Sequence, residues 1–408
     1  MKDSISIGRK EYLWAKNRMP LLSKLVRKYS NSQALNGFSL GMCLHITKET
    51  AVLVTGLAEI GARISLCAAN PLSSKKDMTS YLQDANSNIS LYTNYPGDTN
   101  SFFNNMDKVL DTKPQIVTDD GAEMHKKAVL RKQSLLGGTE ETTSGVNRLR
   151  KLSNSGLLLY PVIAVNESFM KQMLDNQNGT GQSTLEGIIR TTGIIIASKR
   201  IVVCGYGWVG KGVARCARGM GAKVSITEVE PLQAIEAFFD GYEVNNLKNL
   251  LSSNDIFITC TGQINVIGRE HFSELKDGAI LCNAGHFDVE IDVKYLDRID
   301  PHHYEPKPNV TSYNIEDKFK EKKRIYLMTK GRVINLVGAD GNPPEVMDAS
   351  FSNQFLAIVY LSKYATRLAN KVYKPPQKLD SKLARLALSE YGIRMDKLTP
   401  EQKDYFKK

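Results

Sequence analysis

The stretch RIVVCGYGWVGKGVARCARGMGAKVSITE, Arg200 to Glu228, constrains the chain most. It reads as a strand, a tight glycine turn, a helix, a second strand and a terminal acid. Ile201 to Cys204 is a short apolar run suited to a strand buried on both faces. Gly205, Gly207 and Gly210 then spell G-x-G-x-x-G, with Trp208 and Val209 inside the turn. One glycine allows the tight turn, one lets backbone approach a pyrophosphate, and one lets helix and strand pack closely. Free N–H groups at the helix start favour phosphate. Lys223 to Thr227 is the second strand. Glu228 at its end can accept from adenosine ribose hydroxyls and would repel a 2′-phosphate. The stretch therefore predicts a dinucleotide site, with NAD favoured over NADP.

With 408 residues, two or three domains are expected. Hydrophobic content of 42% and charged content of 24% are those of a globular protein. No apolar run approaches the roughly 20 residues of a membrane span. The start, MKDSISIGRKEYLWAK, has no apolar core of a secretory signal. A cytoplasmic protein with no membrane partner is expected. The six cysteines are scattered without C-x-x-C or zinc spacing, so they read as buried reduced thiols and no metal is expected. The net charge of +11 is spread along the chain. Its densest run, Lys318 to Arg324, has one aromatic and reads as a solvated face or loop, so no nucleic-acid partner is expected.

Strand-like runs alternate with helical ones throughout. Residues 8–30 are helical with a break at Pro20. Phe38 to Thr47 and Arg63 to Ala68 are strands around a helix from Ala51 to Ile60, and Pro71 ends the second strand. Asp77 to Ala85 is helical, Ile89 to Tyr92 and Gln115 to Thr118 are strands, and Leu157 to Ala164 is another. Thr184 to Ala197 is a helix that leads into the glycine turn. Asp255 to Thr259, Ala279 to Asn283, Arg324 to Met328 and Val333 to Leu336 read as strands. Met347 to Leu368 and the charged tail from Lys378 to Lys408 read as helices. The pattern predicts an α/β fold: two doubly wound, Rossmann-like lobes with a cleft between them and a short helical C-terminal tail. The expected division is 1–181 plus 338–370 for a substrate-binding lobe, 182–337 for an NAD-binding lobe, and 371–408 for the tail.

In open α/β sheets the carboxyl ends of strands build the site. Polar residues cluster there: His45, Thr47 and Glu49; Asp119 and Asp120; Asn283, Gly285 and His286. Glu140 and Glu141 sit beside a glycine pair and a hydroxyl run. Lys171 and Asp175 are four apart, so they share a helix face. Each has a bland alternative. Asp119-Asp120-Gly121 could be a plain turn, Thr139 to Glu141 a helix cap, Lys171 and Asp175 a surface ion pair, and the histidines satisfied core residues. Beside an NAD site the set suggests proton transfer next to a hydride acceptor.

Longer strings now carry a resemblance over nearly the whole chain. CLHITKETAVLV (43–54), NPLS (70–73), DDGAEM (119–124), GGTEETTSGV (137–146), VNESFMKQMLDN (165–176), VVCGYGWVGKGVA (202–214), ITEVEP (226–231), CNAGHFDVEID (282–292) and GRVINL (331–336) occur in one order. The chain resembles the S-adenosylhomocysteine hydrolases, of the archaeal or short bacterial type. The resemblance implies bound NAD+ that is regenerated in each cycle. The ribose 3′-hydroxyl is oxidised, the C4′ proton is removed, homocysteine leaves C5′, water adds, and the ketone is reduced to give adenosine. It implies Lys171 near the 3′-hydroxyl, with a pKa lowered by burial enough to act as a base. Asp175 and Glu141 would hold the ribose hydroxyls, and Asp120 or His45 would take the C4′ proton. His45 and His286 would flank the leaving thiol, and Thr47 and Glu49 would contact adenine. For NAD it implies Thr142, Thr143, Ser144, Asn176, Gly205, Gly207 to Gly210, Glu228, Gln233, Thr261, Ala284, Gly285, His286 and Asn335. It also implies a homotetramer in a one-carbon, methyl-cycle role.

Some positions depart from the family pattern. Asn342 replaces a gate histidine that borders the adenine, and is expected to contact substrate. Lys75 replaces a glutamine that helps hold a monovalent cation, so its ammonium is expected to substitute for the cation. Thr180 replaces a cysteine near the nicotinamide, as in archaeal-type members, which also share Trp208. The tail ends without the lysine and tyrosine that many relatives donate to a neighbour's NAD. Three rival readings remain: the same chemistry on S-inosylhomocysteine, a silent NAD-binding paralogue, and a simple NAD dehydrogenase.

Overall fold

The computed structural model describes residues 2–70, 74–93, 99–317 and 319–405. The expected strand end at Pro71, the last three residues of the NPLS string and Lys318 lie outside them. The first sheet uses β1 (Ser39–Leu44), β2 (Arg63–Ala68), β3 (Ile89–Tyr92), β4 (Ile116–Asp119), β5 (Gly137–Glu140) and β6 (Val162–Ala164). The second uses β7 (Arg200–Cys204), β8 (Lys223–Thr227), β9 (Glu243–Val244), β10 (Ile256–Thr259), β11 (Ile280–Asn283), β12 (Tyr304–Lys307), β13 (Val310–Glu316) and β14 (Lys322–Met328). The short β15 (Val372–Tyr373) returns to the first sheet beside β6.

The first sheet runs β15-β6-β5-β4-β1-β2-β3 and every pairing in it is parallel. The second runs β12-β13-β14-β11-β10-β7-β8-β9, parallel from β9 to β14, with β13 and β12 added antiparallel. Both therefore contain the doubly wound order 3-2-1-4-5-6. Strand order reverses between β1 and β4 in one lobe and between β7 and β10 in the other, and a crevice opens at such a reversal. The helix Pro344–Tyr364 belongs to the first core and is buried along most of its length. That includes polar Ser350, Ser352, Asn353 and Gln354, of which Ser350 donates to Asp175, Asn353 to Ser168 Oγ and Gln354 to Thr139 Oγ1.

Several elements differ from expectation. Thr139 to Glu141 is not a helix cap: Gly137–Glu140 is the fully buried strand β5, and Thr142 caps the next helix, Thr143–Asn154, by accepting from Gly145 N. Val333 to Leu336 is not a strand. Val333 forms one bridge to Asn283, and Ile334–Val337 is a helical turn. The strand expected from Leu157 begins only at Val162, after Pro161, which has no N–H to donate. The helix before the glycine turn spans Thr180–Thr192 and stops at Gly193. The tail forms two helices, Gln377–Glu390 and Pro400–Tyr405, with a non-helical stretch between. The basic run from Lys322 to Arg324 opens β14, where side chains alternate between the two faces of the sheet.

Candidate active site and cofactor site

The strand reversals place the candidate residues. His45 follows β1 and Asp120 follows β4, at the crevice of the first sheet. His45 Nε2 lies 3.5 Å from Asp120 Oδ2. His286 follows β11 of the other lobe, and its Nδ1 lies 3.9 Å from Asp120 Oδ1. The three offer ligand atoms within 4.8 Å of one another, a grouping invisible in sequence spacing. This approach of the lobes needs Gly121: a Cβ there would stand 2.8 Å from His286 Nε2. Asp119-Asp120-Gly121 is thus more than a plain turn. Arg148 braces the same corner. It donates to Gly121 O at 3.1 Å and sits over the ring of Phe287, the residue after His286, at 4.1 Å.

Lys171 and Asp175 are not a surface pair. Both are buried and lie 3.2 Å apart. Gln172–Gly179 is a π-helix, a form often found at functional sites. Its wider turn lets Lys171 reach both the fourth and the fifth residue ahead, donating to Asn176 Oδ1 at 2.6 Å. Asn176 donates to Asn166 Oδ1 at 3.1 Å, and Asn166 donates to Thr143 Oγ1 at 2.7 Å. Ser350 Oγ and Asn342 Nδ2 donate to the two oxygens of Asp175, each at 2.7 Å.

Glu141 is buried and neither of its oxygens has a hydrogen-bond partner. Burial pushes its pKa well above the usual carboxyl value, and the nearby Lys171 only partly opposes this. A buried carboxyl without partners is costly unless a ligand supplies donors. For Lys171 the structure reverses the expectation. Burial favours the neutral amine, but Asp175, Glu141 and Asp120 together outweigh it and hold the pKa above the usual lysine value. Burial lowers the pKa of His286, with Asp120 opposing, so its ring is held neutral. Glu49 is buried on the helix capped by Thr47; burial raises its pKa, and Lys48 Nζ lies 3.2 Å away.

On the second lobe, the helix Trp208–Gly219 has Gly207 as its N-cap and follows β7, beside the strand reversal between β7 and β10. A Cβ at Gly210 would meet Gly205 O at 1.9 Å, so only glycine lets this helix sit on its strand. A Cβ at Gly207 would touch no protein atom, leaving that side open to a ligand. Glu228 follows β8 and accepts from Tyr206 N, Val229 N and Glu230 N, which shapes the turn and fixes the carboxylate. Gln233 lies half-buried on the next helix, Pro231–Phe239. Thr261, Ala284 and Gly285 line the loops after β10 and β11. Glu290 binds Thr261 N, Thr261 Oγ1 and Gly262 N at 2.8 to 2.9 Å. Asn335 is buried with its Oδ1 unpartnered, an acceptor that a carboxamide N–H would satisfy. Trp208 meets Phe169 edge-on at 6.1 Å, and Val209 packs against the core. From the first lobe, Thr142, Thr143 and Ser144 begin a helix tied to Asn176 through Asn166. The π-helix rests directly on the glycine helix, since a Cβ at Gly212 would meet Gln177 O at 1.9 Å. These residues fit a bound dinucleotide.

Sequence reasoning missed the supports Asn166, Ser183, Glu290 and Ser350, and it placed Glu140 in a polar pair without giving it a role. Glu140 Oε1 accepts from Gly121 N, Thr142 N and Thr142 Oγ1, joining the loops that carry Asp120 and Glu141. The polar run Ser350 to Gln354 inside an apolar helix was the available signal. The satisfied core histidine is His125, bonded to Tyr160 and Thr139 O, with a pKa lowered by burial to about 4.

Two Rossmann-ordered lobes, a glycine turn ending at an acid, and a buried lysine–carboxylate site beside it define an NAD-dependent α/β enzyme. Residues 2–134 match the family profile described as S-adenosyl-L-homocysteine hydrolase, and residues 176–341 match its NAD-binding domain. The chain belongs to the S-adenosyl-L-homocysteine hydrolase family. It is 45% identical over 405 residues to the adenosylhomocysteinase of Sulfolobus acidocaldarius, covering 98% of this chain and 95% of that one. It is 44% identical to that of Aquifex aeolicus, covering 98% and 95%. It is 40% identical to that of Thermotoga maritima, covering 99% of each.

Proposed function

We propose that this chain carries out the NAD-dependent, reversible hydrolysis of S-adenosyl-L-homocysteine to adenosine and L-homocysteine. The observation that carries the reading is the convergence of Lys171, Asp175, Glu141, Asp120, His45 and His286 beside the dinucleotide turn. Bound NAD supplies a hydride acceptor at the ribose 3′-carbon and returns the hydride at the end of the cycle. The chain supplies proton transfer and orientation. Lys171 moves the 3′-hydroxyl proton. Because the carboxylates hold its ammonium, substrate must displace part of that charge before Lys171 can act as a base. Glu141 and Asp175 orient the ribose hydroxyls. Asp120 and His45 handle the C4′ proton. His286 and His45 serve the leaving thiol, and the pair bridges the lobes where C5′ would lie. Thr47 and Glu49 face the adenine edge. Closure of the lobes around these groups keeps water from the oxidised sugar.

The test is release of homocysteine thiol from S-adenosylhomocysteine without net build-up of reduced cofactor. No thiol release would favour a silent NAD-binding paralogue, and steady build-up with added NAD would favour a dehydrogenase. The inosyl compound run in parallel tests the base. A much higher kcat/KM for it would overturn the adenine assignment.

We further propose the division 1–181 plus 338–370, 182–337 and 371–408, with β15 docking the last segment on the first sheet. A cytoplasmic homotetramer is the assembly we favour. Val229, Leu232, Phe238 and Phe239 are strongly exposed around the helix Pro231–Phe239, an apolar face that a second copy would cover. Sedimentation of the holoenzyme tests this. Among the described residues no helix is long and apolar enough to cross a membrane.

A further inference from the structure

Asn342 lies where the chain returns from the second lobe to the first, and its amide is turned inward. Nδ2 donates to Asp175 Oδ1 at 2.7 Å and to Thr180 Oγ1 at 3.3 Å. Oδ1 accepts from Ser183 Oγ at 2.9 Å, and Ser183 Oγ accepts from Asn335 Nδ2 at 3.3 Å. Both amide protons are therefore committed within the protein. On the other side of Asp175, Oδ2 accepts from Ser350 Oγ at 2.7 Å and faces Lys171 Nζ at 3.2 Å.

We propose that Asn342 is a positioning residue for Lys171: it fixes the Asp175 carboxylate and draws charge away from the oxygen that faces the ammonium. The proposal rests on the reading of Lys171 as the group that moves the 3′-hydroxyl proton. The charged groups that face Lys171 are Asp175, Glu141 and Asp120, and His286 senses it across the cleft. Of the three carboxylates, Asp175 alone is bonded to Asn342. A hydrogen bond to the charged form of a carboxylate stabilises that form and spreads its charge. Without Asn342 the charge of Asp175 concentrates on Lys171, and the ammonium becomes harder to deprotonate. The 3′-oxidation then needs a higher pH.

The experiment mixes NAD-loaded enzyme with adenosine in a single turnover. The near-ultraviolet absorbance of reduced nicotinamide is followed across pH, and adenosine affinity is measured by calorimetry. Asn342→Ala should slow the step about tenfold at neutral pH and raise the midpoint of its basic limb by about half a pH unit or more. Its adenosine Kd should change less than about threefold. Asn342→His, whose ring N–H can still donate to Asp175, should recover most of the rate and the wild-type midpoint. An unmoved midpoint in Asn342→Ala overturns the proposal. So does an unchanged rate with weakened adenosine binding, which would make Asn342 a substrate contact. Lys171→Met separates the two levels. If it reduces cofactor at the wild-type rate, the reading of Lys171 falls. If it is inactive while Asn342→Ala keeps the wild-type profile, only the positioning role falls.

Discussion

His286 Nδ1, on the dinucleotide lobe, stands 3.9 Å from Asp120 Oδ1 on the other lobe. The pair joins the two strand-reversal crevices into one site. Burial lowers the pKa of His286 and the Asp120 charge raises it. His286 is thus neutral at neutral pH and gains its proton only below the ordinary histidine value of about 6.5. The acid limb of kcat should lie below that value. Asp120→Asn removes the opposing charge, so the limb should move lower still while kcat falls about a hundredfold. A pH–rate profile of the two proteins checks this. An upward move of the limb would contradict it.

Glu141 predicts an opposition between stability and activity. Its folded pKa is raised above the unfolded value of about 4.3, so the folded state binds the extra proton between those values. Stability is fully present below the unfolded pKa and is lost as pH rises toward the folded one. Glu141→Gln removes that penalty. The unliganded variant should melt about 2 °C or more above wild type at neutral pH, consistent with about 1 kcal/mol. The difference should shrink toward pH ~4. Adenosine-driven cofactor reduction should drop about a hundredfold. Calorimetric melts across pH read the first effect. A lower melting temperature for the variant at neutral pH would refute it.

The glycine turn separates packing from ligand contact. Gly207→Ala adds a methyl that meets no protein atom. Its fold should be unchanged while NAD affinity drops about tenfold or more, because backbone can no longer approach the pyrophosphate. Gly210→Ala forces its methyl onto Gly205 O and should destabilise the lobe by about 2 kcal/mol or more. Thermal melts and cofactor titration of each variant distinguish the two effects. Equal losses of stability would be the wrong outcome.

Lys75 Nζ lies 3.9 Å from Asp340 Oδ1, and Arg190 donates to Asp340 Oδ2 at 3.0 Å. An exposed ammonium thus stands beside the segment that returns to the first lobe. Activity should not depend on potassium at constant ionic strength, whereas Lys75→Gln should become potassium-activated. Titrating potassium against a bulky organic cation checks this. Strong, specific activation of the wild type would sink the idea.

Much of the site was legible because its residues follow apolar strands. His45 after β1, Asp120 after β4, His286 after β11 and Glu228 after β8 stand where a short apolar run gives way to polar residues. The sequence left Gly137–Glu140 unread as a strand, since two glycines, a threonine and a glutamate lack the branched apolar signature. Its neighbours on both sides bury it regardless of propensity. The β12–β13 hairpin and the return of β15 to the first sheet were missed for a related reason. Tyr304–Lys307 is exposed throughout and contains Pro306, so β12 shows no apolar run even though its partner follows directly in the hairpin, and the very short β15 pairs with β6 far back in the chain.

By itself the sequence determined the dinucleotide turn, the alternation that yields two parallel sheets, and a set of candidate acid and base groups. These depend on local backbone chemistry and on strings read in order. The tertiary structure decided the charge state of those groups. Lys171 looks like a lysine that burial should neutralise. Only the fold gathers Asp175, Glu141 and Asp120 around it, and three nearby carboxylates outweigh desolvation. Likewise the sequence put Asn342 at a gate, whereas the folded chain turns its amide onto Asp175. Coulomb energy depends on distance through space, and sequence separation does not report that distance.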